Sequence, residues 1–381
     1  MDADVAVIGL GVMGGATLWR LAGRGVRVVG FEQHEPGHDQ GSSHGESRII
    51  RTAYFEGAQY VPLVRRAFEL WRDLEAQSGA DLLTITGALM IGQRDGELVS
   101  STLASAHTHG LAHEVLDARA MGQRYPQHRL GPDEVGVYED MAGVLRPEAA
   151  VRALVRRAEE LGATVYRRSA VTHIEPIAGG VRVVAGDRVI EAGHAVVAVG
   201  PWLPTFLPTL AVPLRVERQV LAWFTPRQPE LFAPGRFPVF IRELEGGAHR
   251  YGFPTLDGAT VKVAVHHEGA TTTARAVDRA THHADLAPLE SFVTAYLPDL
   301  QSDPRRAQVC LYTNTPDGDF LIGALPDQPH LTVLSPCSGH GFKFAATLGD
   351  AAADLALTGR TDYPIDAFSP RRFIDDAASL A

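Results

Sequence analysis

Positive charge in this chain is carried almost entirely by arginine: of 35 Lys plus Arg, only Lys262 and Lys343 are lysine. Arginine serves equally well wherever a generic surface cation is wanted. A compact ammonium that can lose its proton when buried is something arginine cannot supply, so both lysines are candidates for chemistry. Cys310 and Cys337 are the only cysteines, too few for a disulfide framework and without zinc-ligand spacing. The pairs His266-His267 and His282-His283 do not suggest a metal site. Adjacent strand residues face opposite ways and no carboxylate cluster accompanies them, so no metal is expected. Gly9-Leu10-Gly11-Val12-Met13-Gly14, with Glu32 eighteen residues further on, has the spacing of a dinucleotide-binding turn.

The elements around that turn support the reading. Asp4 to Ile8 reads as a strand, Val12 to Gly23 as a helix and Val26 to Phe31 as a second strand ending at Glu32. In such a unit Gly9 permits the turn, Gly11 lets a pyrophosphate approach the backbone and Gly14 lets helix and strand pack. The helix N-terminus then faces the anion and Glu32 accepts from a ribose. The motif alone does not separate FAD from NAD, but an N-terminal position with no second such motif suits one permanently bound FAD.

A loop rich in Gly, Ser and His follows from Gln33 to Ser47. Helices are expected over Tyr60 to Gln77 and Pro147 to Leu161, the latter opened by proline. Val171 to Ile174, Val181 to Val184 and His194 to Val199 read as strands, the last leading into Gly200-Pro201-Trp202. A sheet platform is expected from Val216 to Phe224, Val239 to Arg242, Tyr251 to Phe253 and Thr260 to His266. Gln308 to Thr313, Phe320 to Gly323 and Leu331 to Ser335 then lead to a helix over Phe342 to Leu357. The fold class expected is α/β: a Rossmann-type FAD-binding domain (1–81, 146–211 and 310–381) interleaved with a mostly antiparallel substrate domain (82–145 and 212–309).

A net charge of −10 argues against a general nucleic-acid binder. No apolar run approaches the roughly 20 residues needed to span a bilayer. The start Met-Asp-Ala-Asp lacks the features of a secretion signal, so a cytoplasmic protein is expected.

Four segments carry a more specific likeness. These are Gly41-Ser42-Ser43-His44-Gly45-Glu46-Ser47-Arg48-Ile49-Ile50-Arg51, Lys262-Val263-Ala264-Val265-His266, Cys310-Leu311-Tyr312-Thr313 and Ser338-Gly339-His340-Gly341-Phe342-Lys343. In this order, over nearly the whole chain, they resemble monomeric sarcosine oxidase and N-methyltryptophan oxidase, within the wider family of FAD-dependent amino-acid oxidases. The resemblance implies that Cys310 forms a thioether to the flavin 8α carbon and that Arg51 and Lys343 grip the substrate carboxylate. It implies that Lys262 promotes reaction with oxygen, that His266 binds substrate and sets polarity, and that Tyr251 and Tyr312 line the substrate cavity. Cofactor contacts are implied for Ser42, Ser43, His44, Arg48, Val171, Gly200, Gly339, His340 and Gly341; Cys337 receives no role. The chain departs from the family pattern at Ala264, where glycine is common, and at Asp317-Gly318-Asp319, where Asp-Glu-His is common. Both changes bear on pocket shape.

The expected activity is oxidation of a small secondary or N-methyl amino acid by a monomeric flavoprotein, with oxygen reduced to hydrogen peroxide. The alternatives are a flavin dehydrogenase with another electron acceptor, a flavin-binding protein without turnover and an NAD-dependent dehydrogenase.

Overall fold

A computed structural model of the chain describes residues 1–208, 210, 212–325 and 327–373. The first strand, Ala3–Ile8, is apolar and fully paired, parallel to Val28–Phe31 on one side and to Arg188–Val197 on the other. Thr164–Tyr166 and Gln328–Ser335 extend this sheet in parallel register, and the hairpin strands His173–Ile177 and Gly180–Ala185 add antiparallel edges. Helices Val12–Gly23, Pro147–Glu160 and Ala345–Thr358 pack together beside the sheet, joined by Val61–Ser78. Their shared core holds Trp19, Leu63, Trp71, Leu154 and Leu348, all buried.

The second sheet is long and mostly antiparallel. Its centre is Arg215–Pro226, flanked by Val261–His266 and by Leu300–Asn314. It continues through His249–Gly252 and Val239–Glu243 to Ala88–Gln93, the one parallel pairing, and on to Glu134–Glu139 and Glu114–Asp117. A small sheet holds Arg48–Ile50, Gly143–Leu145 and Leu83–Ile85, while Leu321–Leu325 pairs with Gln328–Ser335 in the first sheet and Thr271–Thr272 with Arg215–Pro226 in the second. The expected α/β architecture of a Rossmann-type sheet with an antiparallel platform is what the chain adopts.

Three details differ from the sequence reading. The strand expected over Gln308 to Thr313 begins at Leu300, and its polar first half, Gln301 to Arg306, pairs along the sheet edge with side chains in solvent. It lacks an apolar alternation because successive residues, Gln301 to Asp303 and Arg305 to Arg306, are exposed on both faces. Residue 310 lies inside this strand. The single helix expected over Phe342 to Leu357 is a 3-10 turn, Phe342–Phe344, followed by an α-helix, Ala345–Thr358. The strand expected to start at Val171 is His173–Ile177, which leaves Val171 outside the ladder.

The glycine turn behaves as its spacing requires. Gly9 has φ +86°, and a Cβ there would lie 2.7 Å from the Ala198 carbonyl oxygen; a Cβ on Gly14 would overlap the Gly9 carbonyl. Gly11 has ordinary φ, and its Cβ would meet only Ser43 Oγ, at 3.5 Å. The first and third glycines are thus fixed by packing, and the second is free for a ligand. Gly14→Ala is expected to lower stability by about 2 kcal/mol or more, and Gly11→Ala to leave it nearly unchanged while weakening FAD retention. Chemical denaturation with flavin content measured in parallel checks both.

Candidate active site

One cavity of about 400 Å³ runs from the glycine turn across the joint between the two sheets. At its first end Glu32, directly after the second strand, accepts from Leu10 N at 2.9 Å and His34 N at 2.8 Å. Burial opposes its charge, but His38 and these backbone donors outweigh it and hold the carboxyl below its usual range. Glu32 is therefore an anchored acceptor, suited to hydroxyl groups. Gly9, Gly11, Ser42, Ser43, Val171 and Gly200 share this part of the wall. Ser43 Oγ accepts from Val12 N at 3.2 Å, and Ser42 Oγ donates to Leu311 O at 2.6 Å. Gly14 lies beneath the turn and does not reach the cavity.

Cys310 lines the middle of the cavity from the strand Leu300–Asn314, paired with Gln219. Arg48 Nη2 lies 3.5 Å from its sulfur and is itself held by the Ser42 carbonyl, while Arg48 Nη1 donates to the Ser47 carbonyl. Burial alone would raise the thiol, but His44 and then Arg48 overcome it and bring Cys310 down to about 6. A thiolate is the nucleophilic form of cysteine, so Cys310 is the activated one. His44 is buried behind the wall, with neither ring nitrogen hydrogen-bonded among the described residues. Cys337, expected beside the flavin-side loop but without a role, also lines the cavity, and burial pushes its thiol up.

Beyond the sulfur the walls become cationic. Arg51 is 1% exposed, pairs with Glu56, donates to Ala53 O at 2.8 Å and lies against the rings of Tyr54 and Phe55. Its Nε has no hydrogen-bond partner among the described residues. Lys343 Nζ donates to His340 O at 2.7 Å and to Tyr54 Oη at 3.1 Å. Tyr54 Oη in turn lies 2.7 Å from His340 Nδ1, and His340 Nε2 lies 3.2 Å from the Gly318 carbonyl. The chain of donors is consistent with a neutral imidazole protonated on Nε2. Burial, which holds His340 near 4, agrees with it. Burial and Arg51 bring Lys343 down to about 7, with Glu56 opposing. Burial works against the Glu56 carboxylate, but Arg51, His340 and Lys343 keep it low.

The strand Val261–His266 delivers two further groups. His266 opens into the cavity with Nδ1 3.3 Å from Tyr312 Oη, and Tyr312 Oη is 3.5 Å from Tyr251 Oη. Burial pushes His266 well below its ordinary range and raises both tyrosines, so all three are neutral. Lys262 is placed differently from His266. Its ammonium donates to Gly45 O at 2.8 Å and Ser47 O at 2.7 Å, behind the Gly45 to Ser47 segment, and is not part of the cavity wall. Gly339 and Gly341 shape the far end. A Cβ on Gly339 would lie 2.7 Å from both His266 and Tyr312, and one on Gly341 would overlap the Pro336 carbonyl.

The sequence-predicted residues therefore converge, apart from Lys262, His44 and Gly14, which stand one layer back. Glu56, Tyr54 and Glu148 were not predicted. Glu56 and Tyr54 follow Arg51 closely in sequence, which is the only signal they carry. Glu148, at the start of a helix, accepts from Gly45 N at 2.6 Å and had no sequence signal. Among the described residues no group of His, Cys, Asp and Glu is placed to hold a metal, and no helix is long and apolar enough to cross a membrane.

Known proteins are similar to this chain over nearly its whole length. A family profile described as FAD dependent oxidoreductase matches residues 4–355. Monomeric sarcosine oxidase of Streptomyces avermitilis is 42% identical, covering 97% of each chain. N-methyl-L-tryptophan oxidase of Salmonella typhi is 34% identical, covering 98% of this chain and all of that one. A solved structure of NikD, described as an unusual amino acid oxidase essential for nikkomycin biosynthesis, superposes with a TM-score of 0.86 at 26% identity, covering 97% of each chain.

The contrast between the two thiols is directly measurable. In protein prepared without cofactor, thiolate absorbance at 240 nm is expected to titrate in a step near pH 6 that Cys310→Ser abolishes and Cys337→Ser leaves. Arg48→Met is expected to move that step upward. A step that follows Cys337 instead would contradict the assignment.

Proposed function

The chain belongs to the FAD dependent oxidoreductase family, and from that premise we propose that it is an oxidase of a small secondary or N-methyl amino acid with FAD tethered to Cys310. The carrying observation is the pairing of an activated buried sulfur with a cationic pocket further along the same cavity. The residues fit the cofactor: Gly11 leaves room where a pyrophosphate would approach, Glu32 is an anchored acceptor for a ribose, and Ser42, Ser43, Arg48 and Val171 line the space between. When bound, FAD supplies the two-electron acceptor for the amino acid and passes those electrons to oxygen.

This chain's own groups orient and charge the site. Arg51 and Lys343 take the substrate carboxylate, a planar guanidinium offering paired donors and an ammonium a second charge. Glu56 holds Arg51 until a substrate carboxylate competes for it. Tyr251, Tyr312 and His266, all neutral, face the amine without adding positive charge beside it. Loss of two electrons and two protons from the amino acid gives an imine. Water hydrolyses it, yielding formaldehyde and a primary amino acid from an N-methyl substrate. Lys262 supplies buried positive charge for oxygen reduction, where a negative oxygen species develops. Oxygen leaves as hydrogen peroxide.

Anaerobic mixing with a panel of N-methyl and cyclic amino acids is expected to bleach the flavin with at least one of them, and air to restore the colour with stoichiometric peroxide. Colour restored only by another acceptor would favour a dehydrogenase. Acid precipitation is expected to leave the colour with the protein and to release it from Cys310→Ser. Because Lys343 titrates near 7 and binds carboxylate as its protonated form, the Kd of a small carboxylate inhibitor is expected to rise as pH increases from 6 to 9. Lys343→Met is expected to bind weakly and without that slope.

A further inference from the structure

The two hydrogen-bond partners of Lys262 among the described residues are carbonyls of the segment Gly45 to Ser47, and its ammonium also lies 4.1 Å over the Phe253 ring, so that segment sets the direction of its hydrogen bonds. The segment has an unusual backbone: Gly45 has φ +92° and Glu46 has φ +67°, the second a left-handed conformation that a glutamate adopts only when its surroundings impose it. Glu148 accepts from the Gly45 and Glu46 amides on one side. On the other side the Glu46 carboxylate accepts from Trp223 Nε1 at 2.9 Å and from Arg306 Nη2 at 2.6 Å.

Those two partners are not a chance surface contact. Lys262, Trp223 and Arg306 lie directly opposite one another on three adjacent strands, Trp223 pairing with Lys262 on one side and with Arg306 on the other. Trp223 is buried beneath Arg306, whose guanidinium stacks 3.8 Å over the indole. An exposed ion pair alone contributes little. Here the carboxylate contacts both members of a stacked pair and closes a loop of contacts: Lys262 to the Gly45 and Ser47 carbonyls, through Glu46 to Arg306 and Trp223, and back along the sheet to Lys262.

We propose that Glu46, clamped by Arg306 and Trp223, is a positioning residue that fixes the Gly45 to Ser47 carbonyls and through them the ammonium of Lys262. Its consequence for catalysis rests on the reading of Lys262 as the oxygen-facing cation; the placement itself does not.

The scarcity of lysine makes the test clean. Holoenzyme labelled with ¹³C at the lysine Cε has two resonances to resolve, assigned with Lys343→Met. Glu46→Ala, Glu46→Gly and Arg306→Met are each expected to displace the Lys262 resonance and to leave that of Lys343 in place. Arg306→Met changes no backbone preference and covers the case in which the Glu46 variants fail to fold. After anaerobic reduction by substrate, reaction with oxygen is expected to slow at least fivefold in Arg306→Met and Glu46→Gly, with the preceding reduction unchanged. Adding Glu46→Gly to Lys262→Met is expected to cause no further loss. A Lys262 resonance unmoved by Arg306→Met and Glu46→Gly overturns the clamp, as does displacement by Glu46→Ala alone, which would mark backbone strain as the cause. If the resonance moves but Lys262→Met reacts with oxygen normally, the positioning stands and the oxygen role of Lys262 falls.

Discussion

Buried positive charge in excess of buried negative charge is the constraint around which this site is organised. Arg48, Arg51 and Lys343 line the cavity with Lys262 directly behind its wall, and among the described residues only Glu56 meets any of them as a contacting carboxylate. Isolated charges are costly to bury, and the chain offsets that cost largely with backbone carbonyls, those of Ser42, Gly45, Ser47, Ala53 and His340. Carbonyls orient a cation without neutralising it. The result is a pocket whose field remains positive and whose lysines lose their protons more readily than usual.

The fold makes that arrangement possible by bringing three kinds of backbone to one place. The parallel sheet provides a glycine turn tight enough for a helix N-terminus to face the cavity. The antiparallel platform presents Cys310, Tyr312 and His266 at fixed register from neighbouring strands. The loops between them, at Gly45–Glu46 and Ser338–Gly339, adopt left-handed conformations so that their carbonyls turn toward ammonium groups or their chain passes close beneath aromatic rings. A pocket built on strands with loop carbonyls behind it is rigid. Its cations can still exchange partners, as Arg51 must if it releases Glu56.

Much of this was legible in the sequence because it rests on residue types with few substitutes. The glycine spacing, the acidic end of the second strand and the two isolated lysines each reflect a geometric or chemical demand that other residues do not meet. What could not be read depends on distant packing. Glu148 meets Gly45 across a long stretch of chain, and nothing local marks it. The polar start of the strand at Leu300 carries no alternation because it runs along a wet edge. The shared face of Lys262 and His266 was readable, but not that the Gly45 to Ser47 segment covers one of them and leaves the other open.

Selection of the ligand by charge is what the proposed function requires of this pocket. The most direct measurement is the affinity of the purified flavoprotein, near pH 6, for a small aliphatic carboxylate and for its neutral amide of the same shape, read from the visible flavin spectrum. Charge-assisted hydrogen bonds worth about 1.5–3 kcal/mol predict that the carboxylate binds roughly 10- to 100-fold more tightly. Equal affinity for the two would contradict the account.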